Sequence, residues 1–137
     1  MSIEGNKQIV RRYQEIYNSN DLDALSEVVS EDLRTPRIMA GIPTGIEGAK
    51  AAHRIMLVGF PDYQTVIDDL IAEDDKVVAR TTMSGTNTGN FMGIPTTGKH
   101  ISFTGIYVAR IANGKIVEHW GEEDSVSLLQ QLGVLSI

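Results

Sequence analysis

Seven consecutive residues, Glu118-His119-Trp120-Gly121-Glu122-Glu123-Asp124, gather four carboxylates, a histidine and the only tryptophan of the chain. A carboxyl group held against aromatic rings is desolvated, and its pKa rises toward the range where it can take and return protons at working pH. Proton transfer at a carbon beside a carbonyl is the chemistry such a group supports. The three histidines, His53, His100 and His119, lie far apart in the chain. No HxxxH or HExxH spacing links them, so no metal site is expected. Cysteine is absent, which excludes a thiol nucleophile, disulfides and Cys-ligated zinc or iron–sulfur centres. Gly89, Gly93 and Gly98 follow a predicted strand but lead into another strand instead of a helix, which excludes a dinucleotide loop. No cofactor is expected.

A hairpin must position the closing acids. Asn113-Gly114 is a strong two-residue turn signal, and counting from it sets Ala112 opposite Lys115, Tyr107 opposite Trp120 and Phe103 opposite Asp124. Alternation then places Phe103, Tyr107, Ile111, Ile116, Glu118, Trp120, Glu122 and Asp124 on one face. Thr104, Ile106, Val108, Arg110, Val117, His119 and Glu123 fall on the other. On the first face Trp120, Tyr107 and Phe103 form a wall suited to a flat apolar ligand, with Asp124 as the acid at its mouth. A bulge at Gly105 or Gly121 would swap the facing beyond it. Asp124 also directly precedes SVSLLQQL, where aspartate is a preferred helix cap, and both roles stay open on these grounds. Ile106, Val108 and Val117 on the second face need cover, which a second copy of the sheet would supply as a homodimer.

The upstream chain supplies the rest of the enclosure. NKQIVRRYQEIYNSND carries Ile9, Val10, Tyr13, Ile16 and Tyr17 at helical spacing, so that the Tyr17 phenol can reach a cavity. A second, shorter helix buries Leu22, Leu25, Val28 and Val29. EDLRTPRIMAGIPTG is an irregular connection with room for a short strand, and it offers Arg37 as a donor. Helical period returns from Gly45 to about Phe60, with His53 on the apolar face, either as proton partner of Asp124 or as a satisfied core histidine. YQTVIDDLIAEDDKVVARTTMSGT reads as a hairpin about Asp74-Asp75. NTGNFMGIPTTGK is a long loop whose Phe91, Met92 and Ile94 would close over a ligand as a lid.

A chain of 137 residues is the size of one domain, here 1–137, and its 42% hydrophobic and 22% charged content is that of a soluble globular protein. Net charge of −6 without a basic cluster argues against nucleic acid and anionic membranes as partners. The start, MSIEGNKQ, lacks the regions of a signal peptide, and a cytoplasmic protein is expected.

Taken together, the helix NKQIVRRYQEIYNSNDLDAL, the segments FPDYQTVIDDLIAEDDKVVAR and GTNTGNFMGIPTTGK, and the closing ANGKIVEHWGEEDSVSLLQQLG resemble the SnoaL-like polyketide cyclases, or ester cyclases. The resemblance implies the cone-shaped α+β fold of ketosteroid isomerase and nuclear transport factor 2: a curved antiparallel sheet with N-terminal helices over its concave face. It also implies a cofactor-free intramolecular aldol condensation of a hydrophobic carbonyl compound, with Asp124 in the position of the family's acid–base aspartate. Where many relatives place a histidine after the second helix, this chain has Arg34, Thr35 and Arg37. Two other functions fit the same scaffold: hydrolysis of an epoxide or ester by Asp69 and Asp124 with Arg80, and non-catalytic binding of an apolar molecule.

Overall fold

The computed structural model describes residues 2–36 and 40–136. Helix α1 (Ile3–Ser19) starts where Ser2 accepts a hydrogen bond from the Gly5 N–H at 2.9 Å, and it buries Val10, Tyr13, Ile16 and Tyr17 along one face. It stops at Asn20, whose left-handed φ of 61° turns the chain. A 3₁₀ segment (Leu22–Glu27) replaces the expected second helix, and Val28 and Val29 leave it. Val29 instead opens strand β1 (Val29–Arg34), where a β-branched side chain fits and the backbone pairs in parallel with the last strand.

Helix α2 (Gly45–Gly59) is followed by β2 (Gln64–Glu73), β3 (Lys76–Thr86), β4 (His100–Ala112), β5 (Lys115–Glu123) and α3 (Ser125–Gln131). The strands order as β1-β5-β4-β3-β2, and every pairing except β1 with β5 is antiparallel. At the β4–β5 turn Asn113 and Gly114 have φ of 52° and 77°, the twist that joins right-handed strands tightly. Val10, Tyr13 and Ile16 of α1 pack on Val77, Ala79, Ala109, Ile111 and Ile116 to form the main core on the concave side. A second cluster, built on Phe60, Met83, Phe91, Ile101, Phe103 and Leu128, is separate from it. No described helix is long and apolar enough to cross a membrane.

The β4–β5 register corrects the facing expected from the sequence. Ala112 does face Lys115 and Ile111 faces Ile116, but Arg110 then pairs with Glu118, which leaves Val117 as an extra residue. Beyond this bulge Ala109 faces His119, Tyr107 faces Gly121 and Gly105 faces Glu123. The inward set on β5 is therefore His119, Gly121 and Glu123, while Glu118, Trp120 and Glu122 alternate to the convex side. Electrostatics explains the position of the bulge. Strict alternation would set Glu118 opposite Ala109, which is fully buried; burying an unpaired carboxylate there would cost several kcal/mol, roughly. On the convex side Glu118 instead pairs with both Arg34 and Arg110.

Candidate active site

A cavity of about 470 Å³ lies between the concave sheet, α1, α2 and the segment after β1. It opens beside β5. The parallel pairing with β1 ends at Arg34 and Glu118, so residues 119–123 form a sheet edge at the mouth. Tyr13, Gln14 and Tyr17 enter from α1, His53 and Met56 from α2, Tyr63 from just ahead of β2, Tyr107 from β4, and His119 and Glu123 from β5. Gly105 and Gly121 keep this floor open. A Cβ at Gly121 would stand 3.0 Å from Tyr107 Cβ, and one at Gly105 would stand 3.0 Å from Met83 Cε and 3.4 Å from Glu123 Cγ.

Rings hold the interior groups in place. His119 lies 4.8 Å from the Tyr107 ring and 5.8 Å from that of Tyr13, centroid to centroid. Burial pushes its imidazole down to about 4, so it is neutral at physiological pH. Tyr107 donates to Gln14 Oε1 at 3.3 Å. Tyr13 and Tyr17 meet edge to face at 4.7 Å. Burial raises Tyr17 to about 12 and lifts Tyr13, Tyr63 and Tyr107 further, so all four phenols keep their protons and serve as donors. His53 packs on Tyr17 at 4.7 Å, and burial lowers its pKa as well.

Glu123 is the carboxyl of this interior. Its position at the mouth leaves the residue exposed by area, yet protein surrounds the carboxyl closely enough that desolvation raises its pKa. Its charge in turn raises the Tyr63 phenol. A desolvated acid among neutral groups can remove a proton from carbon while a phenol stabilises the oxygen that gains charge.

Of the residues expected from the sequence, Tyr17, Tyr107 and His53 line the cavity, and Trp120 borders its mouth while alternating to the convex side. Asp124 stands elsewhere. Its Oδ1 accepts from the Ser127 N–H at 3.0 Å and caps α3, and its side chain is exposed. Replacing Asp124 with alanine is expected to lower stability by about 1 kcal/mol through loss of the cap, read as a shifted urea midpoint.

Phe103 is buried in the second cluster because β4 runs past the cavity before reaching it. Phe91 joins the same cluster against Phe60 at 5.1 Å, and Met92 points to solvent, 59% exposed, so neither lies over the cavity. Arg37 lies outside the described residues. The acids of the hydrolytic scheme are dispersed: Asp69 pairs with Arg80, which in turn pairs with the outward Ile106, and Asp124 caps α3. Among the described residues no cluster of His, Asp and Glu could hold a metal ion.

His119, Glu123 and Gln14 were not singled out from the sequence. The first two were displaced by the bulge, and the signal for it was Glu118, which unbroken alternation would bury in an apolar core without a partner. Gln14 was legible as a polar residue beside the buried Tyr13 and Tyr17.

Residues 7–132 match the SnoaL-like polyketide cyclase family. Two curated relatives are aklanonic acid methyl ester cyclases. DauD of Streptomyces sp. (strain C5) is 29% identical over 91% of this chain and 80% of its own length. DnrD of Streptomyces peucetius is 29% identical over 91% of this chain and 88% of its own. The solved structure of TsrD from Streptomyces laurentii superposes with a TM-score of 0.89 at 33% identity, covering 98% of this chain and 99% of that one. The chain belongs to the SnoaL-like polyketide cyclase family.

Proposed function

We propose that the protein is a cofactor-independent cyclase that closes a ring in a hydrophobic carbonyl compound by intramolecular aldol condensation, with Glu123 as the proton carrier. One observation carries this reading: the mouth of the cavity brings a partly desolvated carboxyl together with histidines and phenols that burial keeps neutral. The Glu123 carboxylate takes a proton from a carbon next to a carbonyl, and the enolate oxygen is held by a donor such as Tyr63. The carbanion adds to a second carbonyl of the same molecule, whose oxygen receives the proton back from Glu123. His119 is too weak a base to take that proton and stays neutral against the Tyr107 ring. No atom is gained or lost.

The relatives named for aklanonic acid methyl ester suggest a methyl ester as substrate. Incubating the protein with that ester in ¹⁸O-labelled water tests the reaction. A cyclised product of unchanged mass without solvent oxygen is expected; a labelled acid would establish hydrolysis and overturn the cyclase reading.

The same proposal places the protein in the cytoplasm as a homodimer. Ile71, Val78, Val108 and Trp120 pair across four strands into an apolar row on the convex face, with Ile71 61% exposed. Rows bearing both charge signs flank it: Lys76, Arg110 and Glu118 on one side, Asp69, Arg80 and Glu122 on the other. A second copy turned about a two-fold axis covers the apolar row while opposite charges meet at its margins. Trp120→Glu is expected to convert a dimer to a monomer in sedimentation at micromolar concentration. A wild-type protein already monomeric there would rule the dimer out.

A further inference from the structure

His53 has a partner that the catalytic scheme does not use. Its Nε2 lies 3.0 Å from Oδ1 of Asn20, the residue that ends α1 in the left-handed conformation. Asn20 donates its own backbone N–H to the Tyr17 carbonyl at 3.1 Å, which holds the residue in place at the helix end. An amide oxygen only accepts, so the ring nitrogen facing it must carry the hydrogen. In a neutral imidazole the lone pair is then on Nδ1. His53 lines the cavity, and the partnerless buried polar atom among the described residues is Asn6 Oδ1, so Nδ1 is not sealed into the core.

We infer that Asn20 is a positioning residue that fixes His53 in the Nε2–H tautomer and leaves Nδ1 as a stationary hydrogen-bond acceptor for a hydroxyl group of the substrate. The tautomer stands on geometry alone; the hydroxyl contact rests on the cyclase reading above. The surrounding phenols are donors, so a fixed acceptor on the α2 wall adds a different requirement. A phenolic or enolic O–H suits that position, and an analogue carrying a methoxy group there would leave the lone pair unpaired.

Asn20→Gly removes the acceptor while keeping the turn, because glycine adopts positive φ without strain. Asn20→Asp keeps an acceptor at a position that tolerates the same backbone. Long-range ¹H–¹⁵N correlation spectra of the ligand-free protein, recorded above the pKa of the ring, report the tautomer directly. Wild type and Asn20→Asp are expected to show His53 protonated on Nε2 alone, and Asn20→Gly a mixture of tautomers at unchanged melting temperature. Hydrogen on Nδ1 in the wild type, or a pure Nε2–H form in Asn20→Gly, would overturn the assignment.

With aklanonic acid methyl ester, Asn20→Gly should raise KM roughly tenfold with little change in kcat, since the lost contact is made equally in ground and transition states. Asn20→Asp should restore KM. A drop in kcat alone would remove the substrate contact. Should the wild type fail to turn over the ester, the cyclase reading fails, and the spectra still decide the role of Asn20.

Discussion

Glu123→Gln is expected to lower turnover by about 10²- to 10⁴-fold, the usual contribution of a positioned acid–base group, while leaving the fold intact. Glutamine fills the same volume at the mouth and keeps an oxygen near Tyr63, so substrate binding should change little. The pH profile supplies an independent check. The active form of a general base is the deprotonated one, and burial raises this carboxyl above the ordinary glutamate range. Activity should therefore rise with pH through a midpoint above that of an exposed glutamate and fall as pH drops below it, and this acid limb should vanish in Glu123→Gln. Asp124→Asn is the matched control, because asparagine caps a helix as well as aspartate does. A rate retained in Glu123→Gln and lost in Asp124→Asn would return the proton-carrying role to the helix cap. Steady-state kinetics across the acid and neutral range would decide between the two neighbouring acids.

That two adjacent carboxylates could exchange roles shows where sequence patterning stops being informative. The hairpin turn at Asn113-Gly114, the α1 stripe and the His53 face were all legible, because local periodicity and turn chemistry act over a few residues. The facing of β4 was also read correctly: Tyr107 and Ile111 point inward. On β5 the count failed at Val117, since a bulge is a two-strand property and one strand's alternation does not encode it. A single extra residue carried His119 and Glu123 inward and Trp120 outward. The sequence leaves room for a short strand from Glu31 onward, and β1 begins two residues earlier, at Val29. Its parallel pairing to β5 is made between Val29 and Ile116, far apart in the chain, and Val28 and Val29 extend a helical stripe as readily as they begin a strand.

Phe60→Ala is expected to cost about 3–5 kcal/mol, the range for removing a fully buried aromatic ring, and it bears on the loop that the sequence suggests as a lid. Phe60 is fully buried at the end of α2, and its ring meets Phe91 edge to face at 5.1 Å. The loop from β3 to β4 is held down by Asn87, itself fully buried, which donates to the carbonyls of Gly59 and Gly89 and accepts from the N–H and hydroxyl of Thr97. Gly89 approaches so closely that a Cβ there would meet the Val58 carbonyl oxygen at 1.8 Å. A loop packed this way is a wall of the second core and not a cover that opens. Losing the Phe60 ring should thus appear as a melting temperature lower by about 10 °C or more, with Phe91 losing its support. Turnover per folded molecule should fall less than stability does, because Tyr13, Tyr17 and Tyr107 belong to the other cluster, while Met56, Tyr63 and Met83 line the cavity from this one. A true lid would behave in the opposite way: Phe60→Ala would raise KM steeply at nearly unchanged stability, and a urea midpoint close to wild type would establish it.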